Sequence, residues 1–198
     1  MESLGFIFIF LGALVLVVRY VWGGLLKWLH PEWVQVKKDY TLQPTVSVLL
    51  PCFNEGPAVY DSIKSIRESD YPVDRLEIIC VDDCSADSSY EWMLKAAAEF
   101  QNVQVHKNAH NLGKNKTVLH ALSYSKSDMV ISIDSDTVFA PDTVKELMAC
   151  FADPFIGAVG GAVGLRNVNE SIVTSFQAFQ QLRWYNTFAG IDRRKDRR

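Results

Sequence analysis

The stretch "MVISIDSDTVFAPDTVKELMACFAD", residues 129–153, contains the pattern that predicts the fold. Apolar residues run to Ile133, and a strand is predicted over "MVISIDSD", residues 129–136. Asp134 and Asp136 stand at its end, where the chain is expected to turn out of the strand. A helix is predicted over residues 140–153, because Pro141 stands where helix starts prefer proline. Charged residues seldom end a buried strand without partners, so the two acids are candidates for a ligand site.

The rest of the chain repeats this alternation of strand and helix. Strands are predicted at "VSVLLP", "LEIICVDD", "VQVHKN" and the Gly-rich "IGAVGGAVGLRN", and helices at "GPAVYDSIKSIRES", "SSYEWMLKAAAEF", "NKTVLHALSYS" and "ESIVTSFQAFQQLRWYNTFAGI". This order predicts an α/β fold, a mostly parallel sheet with helices on both faces. Ligands of such sheets bind beyond the carboxyl ends of the strands. The polar groups "PCFNE", "VDDCS", "NLGK" and "DSD" all fall at those ends.

Composition sets the broad class of protein. With 198 residues, 48% of them hydrophobic and 22% charged, the chain is globular rather than disordered. The net charge of −3 gives no reason to expect nucleic acid as a partner. The four cysteines lack zinc-site spacing, and free buried thiols in a reducing compartment are the favoured interpretation over disulfides or metal ligands.

The N-terminal segment differs from the rest of the chain. Residues 1–29 are apolar almost throughout and predict a transmembrane or interfacial anchor, with a buried core helix as the alternative. A linker, residues 30–44, would join the anchor to a domain over residues 45–198. Lys27, Lys37 and Lys38 follow the apolar run of residues 4–18 and Glu2 precedes it, which predicts that the domain is cytosolic. The plasma membrane is the expected location.

Two carboxylates one residue apart suggest a metal site. Asp134 and Asp136 offer hard oxygen ligands of the kind that Mg²⁺ or Mn²⁺ prefers, and such ions often bind through one or two carboxylates plus substrate phosphates. A turn in which an aspartate caps the next helix is the alternative.

Each of the other strand-end motifs also has two interpretations, one as a ligand-binding group and one as an ordinary structural feature. Asp82 and Asp83 are candidates for hydrogen bonds with a nucleobase or ribose, or for capping the next helix. Asn54 and Glu55 are candidates for the same nucleotide, or belong to an ordinary strand-to-helix loop. Lys114 precedes a predicted helix, where a lysine can pair with phosphate or remain a solvated surface residue.

Taken in order, the motifs resemble the family 2 glycosyltransferases with a GT-A fold, which is Rossmann-like. The blocks are "VSVLLPCFNE", "IICVDDCSADSS", "NLGKNKTVLHAL" and "ISIDSDTVFAPDTVKEL". The segment "GAVGGAVGLRNVNESIVTSFQAFQQLRWYNTFAGIDRR" is similar to the one that follows the D-x-D in hyaluronan, chitin and chitin-oligosaccharide synthases. Those are processive membrane enzymes with cytosolic catalytic domains.

The resemblance implies an inverting β-glycosyl transfer from a UDP-sugar, with UDP-GlcNAc and UDP-GlcA as the expected donors. The growing polysaccharide would be the acceptor, and membrane lipid would surround the anchor. Asp134 and Asp136 would hold Mg²⁺ or Mn²⁺ on the diphosphate. The nucleotide-sugar would be bound by residues from all four motifs: Pro51, Asn54, Glu55, Asp82, Asp83, Lys114 and Asp134.

The sequence also departs from the family. The family's general base and its Gly-Pro segment follow later in the chain than "GIDRRKDRR", so the expectation is a truncated or fragmentary synthase that binds donor nucleotide. Cys84 stands where the family usually has glycine, which puts the turn geometry in question. "QQLRW", residues 180–184, matches an acceptor motif by letters and makes Arg183 and Trp184 candidate acceptor-side residues. A helix packed beside the active site is the favoured interpretation of that segment.

Three functions therefore compete. The leading one is a membrane-anchored synthase-type glycosyltransferase that carries the donor half of the site. The second is a catalytically impaired nucleotide-sugar-binding or regulatory partner of a full-length synthase. The third is a non-processive enzyme that makes glycolipid, which the segment after the D-x-D disfavours. The four histidines form no metal-ligand pattern, and no role is predicted for them.

Overall fold

A computed structural model describes residues 10–15, 17–18, 36–161, 164, 171, 174 and, for the backbone, 191–193. The chain divides into two compact units. One is Asp39–Ala152, and the other combines Met1–Lys38 with Asp153–Arg198. The four strand-end motifs all lie in the first unit.

A four-stranded parallel sheet forms the centre of the first unit. Its strands are β1 (Val46–Cys52), β2 (Leu76–Asp82), β3 (Val103–Lys107) and β4 (Met129–Ser132), in the order β3-β2-β1-β4. Every residue of β1 is buried, as expected for a near-continuous apolar strand at the centre of a parallel sheet.

Helices cover both faces of this sheet. They are α1 (Ala58–Arg67), α2 (Ser89–Glu99), α3 (Lys114–Tyr124) and α4 (Thr143–Ala149), with short 3₁₀ turns at Val73–Arg75 and Cys150–Ala152. The prediction of a mostly parallel sheet with helices on both faces is confirmed.

Alternation along the strands divides the core into two layers. Val48, Leu50 and Ile78 pack on one face with apolar residues of α1, α2 and α4. Leu49 and Ile79 point the other way, toward α3. Successive strand residues point to opposite faces of a sheet. The same alternation places Asp82, the last residue of β2, and Asp83, which follows it, on opposite faces.

The boundaries differ from prediction around the D-x-D. β4 ends at Ser132 rather than continuing through the acids, although the Ile133 amide still donates to the Leu49 carbonyl at 3.2 Å. The Thr137 amide then donates to the Asp134 carbonyl at 3.0 Å, so a turn replaces the strand there. The helix begins at Thr143, later than predicted, because Pro141 lies in the turn that precedes it.

The second unit is described only in part. β5 (Ile156–Val159) falls in the predicted Gly-rich strand and pairs antiparallel with β6 (Ile191–Arg193), which the sequence did not predict. The helix predicted over residues 170–191 lies almost wholly outside the described residues, as do Arg183 and Trp184.

Most of the predicted anchor, residues 1–29, also lies outside the described part. The described residues in it, 10–15 and 17–18, are helical. Within the described ranges, no helix has both the length and the apolar character needed to cross a bilayer.

Candidate functional site

The carboxyl ends of β1, β2 and β4 open onto one cavity of about 480 Å³, within the range of small-molecule sites. Parallel pairing brings these ends to the same edge, since Cys52 at the end of β1 is in register with Asp82 at the end of β2. The cavity is lined by Pro51, Cys52, Phe53, Glu55, Asp83, Asn111, Gly113, Lys114, Thr117, Asp134, Ser135 and Asp136.

Asp83 is a buried carboxylate that the protein itself largely satisfies. Its Oδ1 accepts hydrogen bonds from Asn108 Nδ2 at 2.7 Å and from the Leu112 amide at 2.8 Å, and its Oδ2 accepts one from the Gly113 amide at 2.9 Å. Burial by itself raises the pKa of Asp83, but these donors, with Thr117, hold that pKa below its ordinary value. Asp83 is therefore a fixed anion beside the cavity.

Asp82 points to the opposite face and does not line the cavity. It is fully buried, its Oδ2 lies 3.3 Å from Lys107 Nζ, and both of its oxygens accept from the Ser85 amide. Adjacent residues at a strand end face opposite ways, so only one acid of the pair reaches the cavity. The predicted role of Asp82 with the nucleotide stays a prediction.

The loop after β1 is tied to the loop after β2. Asn54 has a φ of 56°, its Oδ1 accepts from the Ala86 amide at 2.9 Å, and its own amide donates to Ser85 Oγ at 3.0 Å. The Glu55 amide donates to Ser89 Oγ at 2.9 Å. Asn54 is not among the lining residues, whereas its neighbour Glu55 is.

Cys84 occupies the turn that the sequence brought into question. Its φ is 63°, the left-handed region that glycine adopts without strain. A residue with a Cβ therefore adopts the left-handed conformation in this turn.

Acidic and basic groups meet at the end of β4. Asp134 and Asp136 line the cavity with Glu55, and Lys114 Nζ forms a hydrogen-bonded ion pair with Asp134 Oδ1. Partial burial raises the pKa of Glu55, and the nearby charges of Asp136, Asp87 and Asp134 raise it further. The carboxylates therefore repel one another across the cavity.

The donor set fits a hard divalent cation. Asp134 and Asp136 are exposed carboxylates, and a cation between them would relieve the repulsion felt by Glu55. Within the described residues, no group of three or more His, Cys, Asp or Glu side chains is arranged to hold a metal. The pair Asp134 and Asp136 matches Mg²⁺ or Mn²⁺, because these ions bind through one or two carboxylates and complete their coordination shell with water and substrate phosphates.

Of the predicted residues, six line the cavity: Pro51, Glu55, Asp83, Lys114, Asp134 and Asp136. Sequence reasoning missed the other lining residues, among them Phe53, whose exposed fraction is 46%. Phe53 and Ser135 stand inside motifs already singled out, so their position was a usable signal. Thr117 stands in the block "NLGKNKTVLHAL" as well, but only the packing of α3 brings it to the strand ends.

Comparison with known proteins identifies the class to which this fold and site belong. The family model described as "Glycosyl transferase family 2" matches residues 47–196. An N-acetylglucosaminyltransferase of Bradyrhizobium elkanii is 36% identical over 133 residues, which cover 66% of this chain and 72% of that protein. A hyaluronan synthase of Streptococcus pyogenes is 29% identical over 154 residues, covering 75% of this chain and 35% of that protein.

Solved structures agree with the fold. A mannosyltransferase from Pyrobaculum calidifontis, in complex with GDP-Man and Mn²⁺, superposes with a TM-score of 0.66 at 27% identity and covers 77% of this chain and 46% of its own. S. aureus TarS 1-349 in complex with UDP-GlcNAc superposes with a TM-score of 0.51 at 28% identity, covering 56% of this chain and 32% of its own.

The chain belongs to glycosyl transferase family 2, and its fold is GT-A-like. Its similarity to N-acetylglucosaminyltransferases and hyaluronan synthase agrees with the resemblance seen in the motifs. The match spans about a third of the length of other curated relatives, for example 27% of an N-acetylglucosaminyltransferase of Bradyrhizobium diazoefficiens and 35% of the hyaluronan synthase.

Proposed function

We propose that the chain binds a UDP-sugar together with Mg²⁺ or Mn²⁺ in the cavity at the strand ends, as the donor-binding part of an inverting synthase of the hyaluronan or chitin type. The observation that carries this proposal is the convergence of Asp83, Asp134, Asp136 and Lys114 on one cavity. A relative named N-acetylglucosaminyltransferase and a structural neighbour in complex with UDP-GlcNAc support the choice of donor.

The base of the nucleotide would lie on the β2 side of the cavity. Asp83 Oδ1 accepts the hydrogen bonds from Asn108 and Leu112, and Oδ2 accepts the one from Gly113. Asp83 Oδ2, whose hydrogen-bond donor is the Gly113 amide, would accept a further hydrogen bond from a ring N–H of the base. The exposed ring of Phe53 offers a surface on which a base can stack.

The diphosphate would lie on the β4 side. Lys114 Nζ, now paired with Asp134, would pair with a phosphate oxygen once Asp134 is engaged by the cation. Asp134 and Asp136 would orient the cation. When bound, Mg²⁺ or Mn²⁺ neutralises the charge that develops on a departing nucleoside diphosphate.

Calorimetric titration of the full chain with UDP tests this assignment. We expect binding in the presence of Mn²⁺, and loss of that binding on chelation and in the Asp136→Ala variant. Glu91→Ala is the matched control, since Glu91 is an exposed carboxylate on α2 that does not line the cavity. Unchanged binding in Asp136→Ala would reject the metal assignment, and equal binding of GDP would reject the assignment of uridine.

We also propose that residues 1–29 anchor the protein in the membrane, with the plasma membrane as its location and a growing polysaccharide as the acceptor. The support is the uninterrupted apolar run of residues 4–18. Alkaline carbonate extraction of cell membranes tests the anchor: the full chain should stay with the lipid fraction and a variant lacking residues 1–29 should not. Release of both would reject it.

A further inference from the structure

A hydrogen-bonded chain of side chains connects α3 to Asp83. Tyr124 Oη lies 3.0 Å from His120 Nε2, His120 Nδ1 lies 2.6 Å from Asn108 Oδ1, and Asn108 Nδ2 lies 2.7 Å from Asp83 Oδ1. Asn108 immediately follows β3, and the two aromatic residues lie one turn apart on α3. The spacing of His120 and Tyr124 on a predicted helix makes them neighbours, but the links from His120 to Asn108 and from Asn108 to Asp83 are not evident from sequence spacing.

The chemistry of the groups fixes the direction of the hydrogen bonds that join Asp83, Asn108 and His120. An ionised Asp83 only accepts, so the amide of Asn108 must turn its Nδ2 toward Asp83. The Oδ1 of Asn108 is then left facing His120, which must carry its proton on Nδ1 to donate to it. In the Nδ1–H tautomer Nε2 is an acceptor, and the hydroxyl of Tyr124 donates to it at 3.0 Å.

Packing holds the outer end of this chain in place. The ring of His106 stacks on Tyr124 with centroids 3.6 Å apart and an interplanar angle of 4°. Asn108 is 4% exposed, and its Nδ2 also donates to Thr117 Oγ1 at 3.1 Å. Water therefore has little access to the amide, and the protein supplies its partners.

His120 prevents the alternative orientation of the Asn108 amide. A rotated amide would place its oxygen against the carboxylate of Asp83, and its nitrogen against the Nδ1–H of His120. Both contacts are repulsive, because acceptor would meet acceptor and donor would meet donor. With a side chain that cannot donate at this position, only Asp83 and Thr117 would restrain the amide.

We infer that His120, supported by Tyr124, is a positioning residue that fixes the Asn108 amide and so orients the Asp83 carboxylate toward the base of the bound nucleotide. This inference rests on the proposed function for the identity of the ligand. It does not rest on it for the hydrogen-bonded chain itself. Asp83 also accepts hydrogen bonds from the Leu112 and Gly113 amides. The same series of hydrogen-bonded side chains therefore helps to fix the loop next to Lys114.

Substitutions at His120 test whether the residue acts as a hydrogen-bond donor at the Nδ1 position or only packs against its neighbours. Asparagine places an amide nitrogen near the position of Nδ1, glutamine places it near Nε2, and leucine provides no donor. In calorimetry with UDP and Mn²⁺, His120→Asn should bind within about twofold of the parent chain. His120→Leu and His120→Gln should bind about tenfold more weakly, the loss expected for a hydrogen bond to a charged network. Leu119→Ala, on the exposed side of α3, is the control.

Equal affinity of the Asn and Gln variants would overturn the inference, and this comparison holds even if the Leu variant does not fold. The ¹⁵N shifts of the imidazole ring give a second readout that needs no ligand: we expect the Nδ1–H tautomer, and an Nε2–H tautomer would overturn the inference. A parent chain that shows the Nδ1–H tautomer but binds no UDP would refute the proposed function while supporting the hydrogen-bonded chain.

Discussion

The acids that follow β2 and those that follow β4 look alike in sequence but differ in how the protein uses them. Asp83 is 3% exposed and accepts three hydrogen bonds from its own chain, whereas the side chain of Asp134 is 60% exposed and pairs with Lys114. Hydrogen bonds within the folded protein hold Asp83 in place, whereas the exposed carboxylate of Asp134 is accessible to a cation. The two sides of the cavity therefore combine a rigid half with an adaptable one.

The largest expected effect is a loss of stability when Asp83, on the rigid side of the cavity, is replaced. Asp83→Ala would leave the Leu112 and Gly113 amides and the Asn108 side chain without their acceptor, at a cost of about 3 kcal/mol in the free energy of unfolding. Urea unfolding followed by circular dichroism measures it. Asp136→Ala is the matched control on the adaptable half and should leave the urea midpoint unchanged. Similar midpoints for the two variants would contradict the division.

A smaller effect is expected from the adaptable half. Lys114→Met should weaken UDP binding about tenfold, because a charged hydrogen bond to phosphate is lost. Stability should not change, since an exposed ion pair contributes little. Calorimetry with Lys116→Met as control tests this, because Lys116 is exposed on the same helix and does not line the cavity. An equal loss of UDP affinity in the two variants would indicate general electrostatic attraction of the nucleotide rather than a direct contact between Lys114 and phosphate.

The smallest effect concerns the turn after β2. Cys84→Gly should stabilise the fold by about 1 kcal/mol, because the left-handed φ of 63° strains a residue with a Cβ. Cys84→Ala removes the thiol but keeps the Cβ, and should bring no gain. Thermal unfolding compares the two, and an equal gain in both would show that the thiol, not the backbone, is responsible.

The sequence predicted the central sheet because its signals are local. The apolar runs of β1 and β2 and the spacing of Val59, Ile63 and Ile66 on α1 are readable without tertiary information. β6 was missed because three residues carry too little pattern to be recognised, and their pairing with β5 is long-range.

The site was predictable where a motif ends a strand and unpredictable where packing assembles it. That one acid of the Asp82–Asp83 pair must point away follows from strand alternation and was readable. The partnership of Asn108 with Thr117 and His120 was not, because Asn108 lies in the loop after β3, and only the packing of α3 brings it against these two residues. The sequence assigned His120 no role, and its hydrogen bonds alone give it one.

The most direct test of the central claim is where Mn²⁺ binds when UDP is present. In NMR spectra of the full chain, a trace of Mn²⁺ with saturating UDP should broaden the amide signals of Asp134 and Asp136 and of Lys114. Signals around Glu77, at the opposite end of β2, should persist, and Mg²⁺ should cause no broadening. Broadening centred elsewhere, or none at Asp134 and Asp136, would contradict the assignment of this cavity as a metal-dependent nucleotide-sugar site.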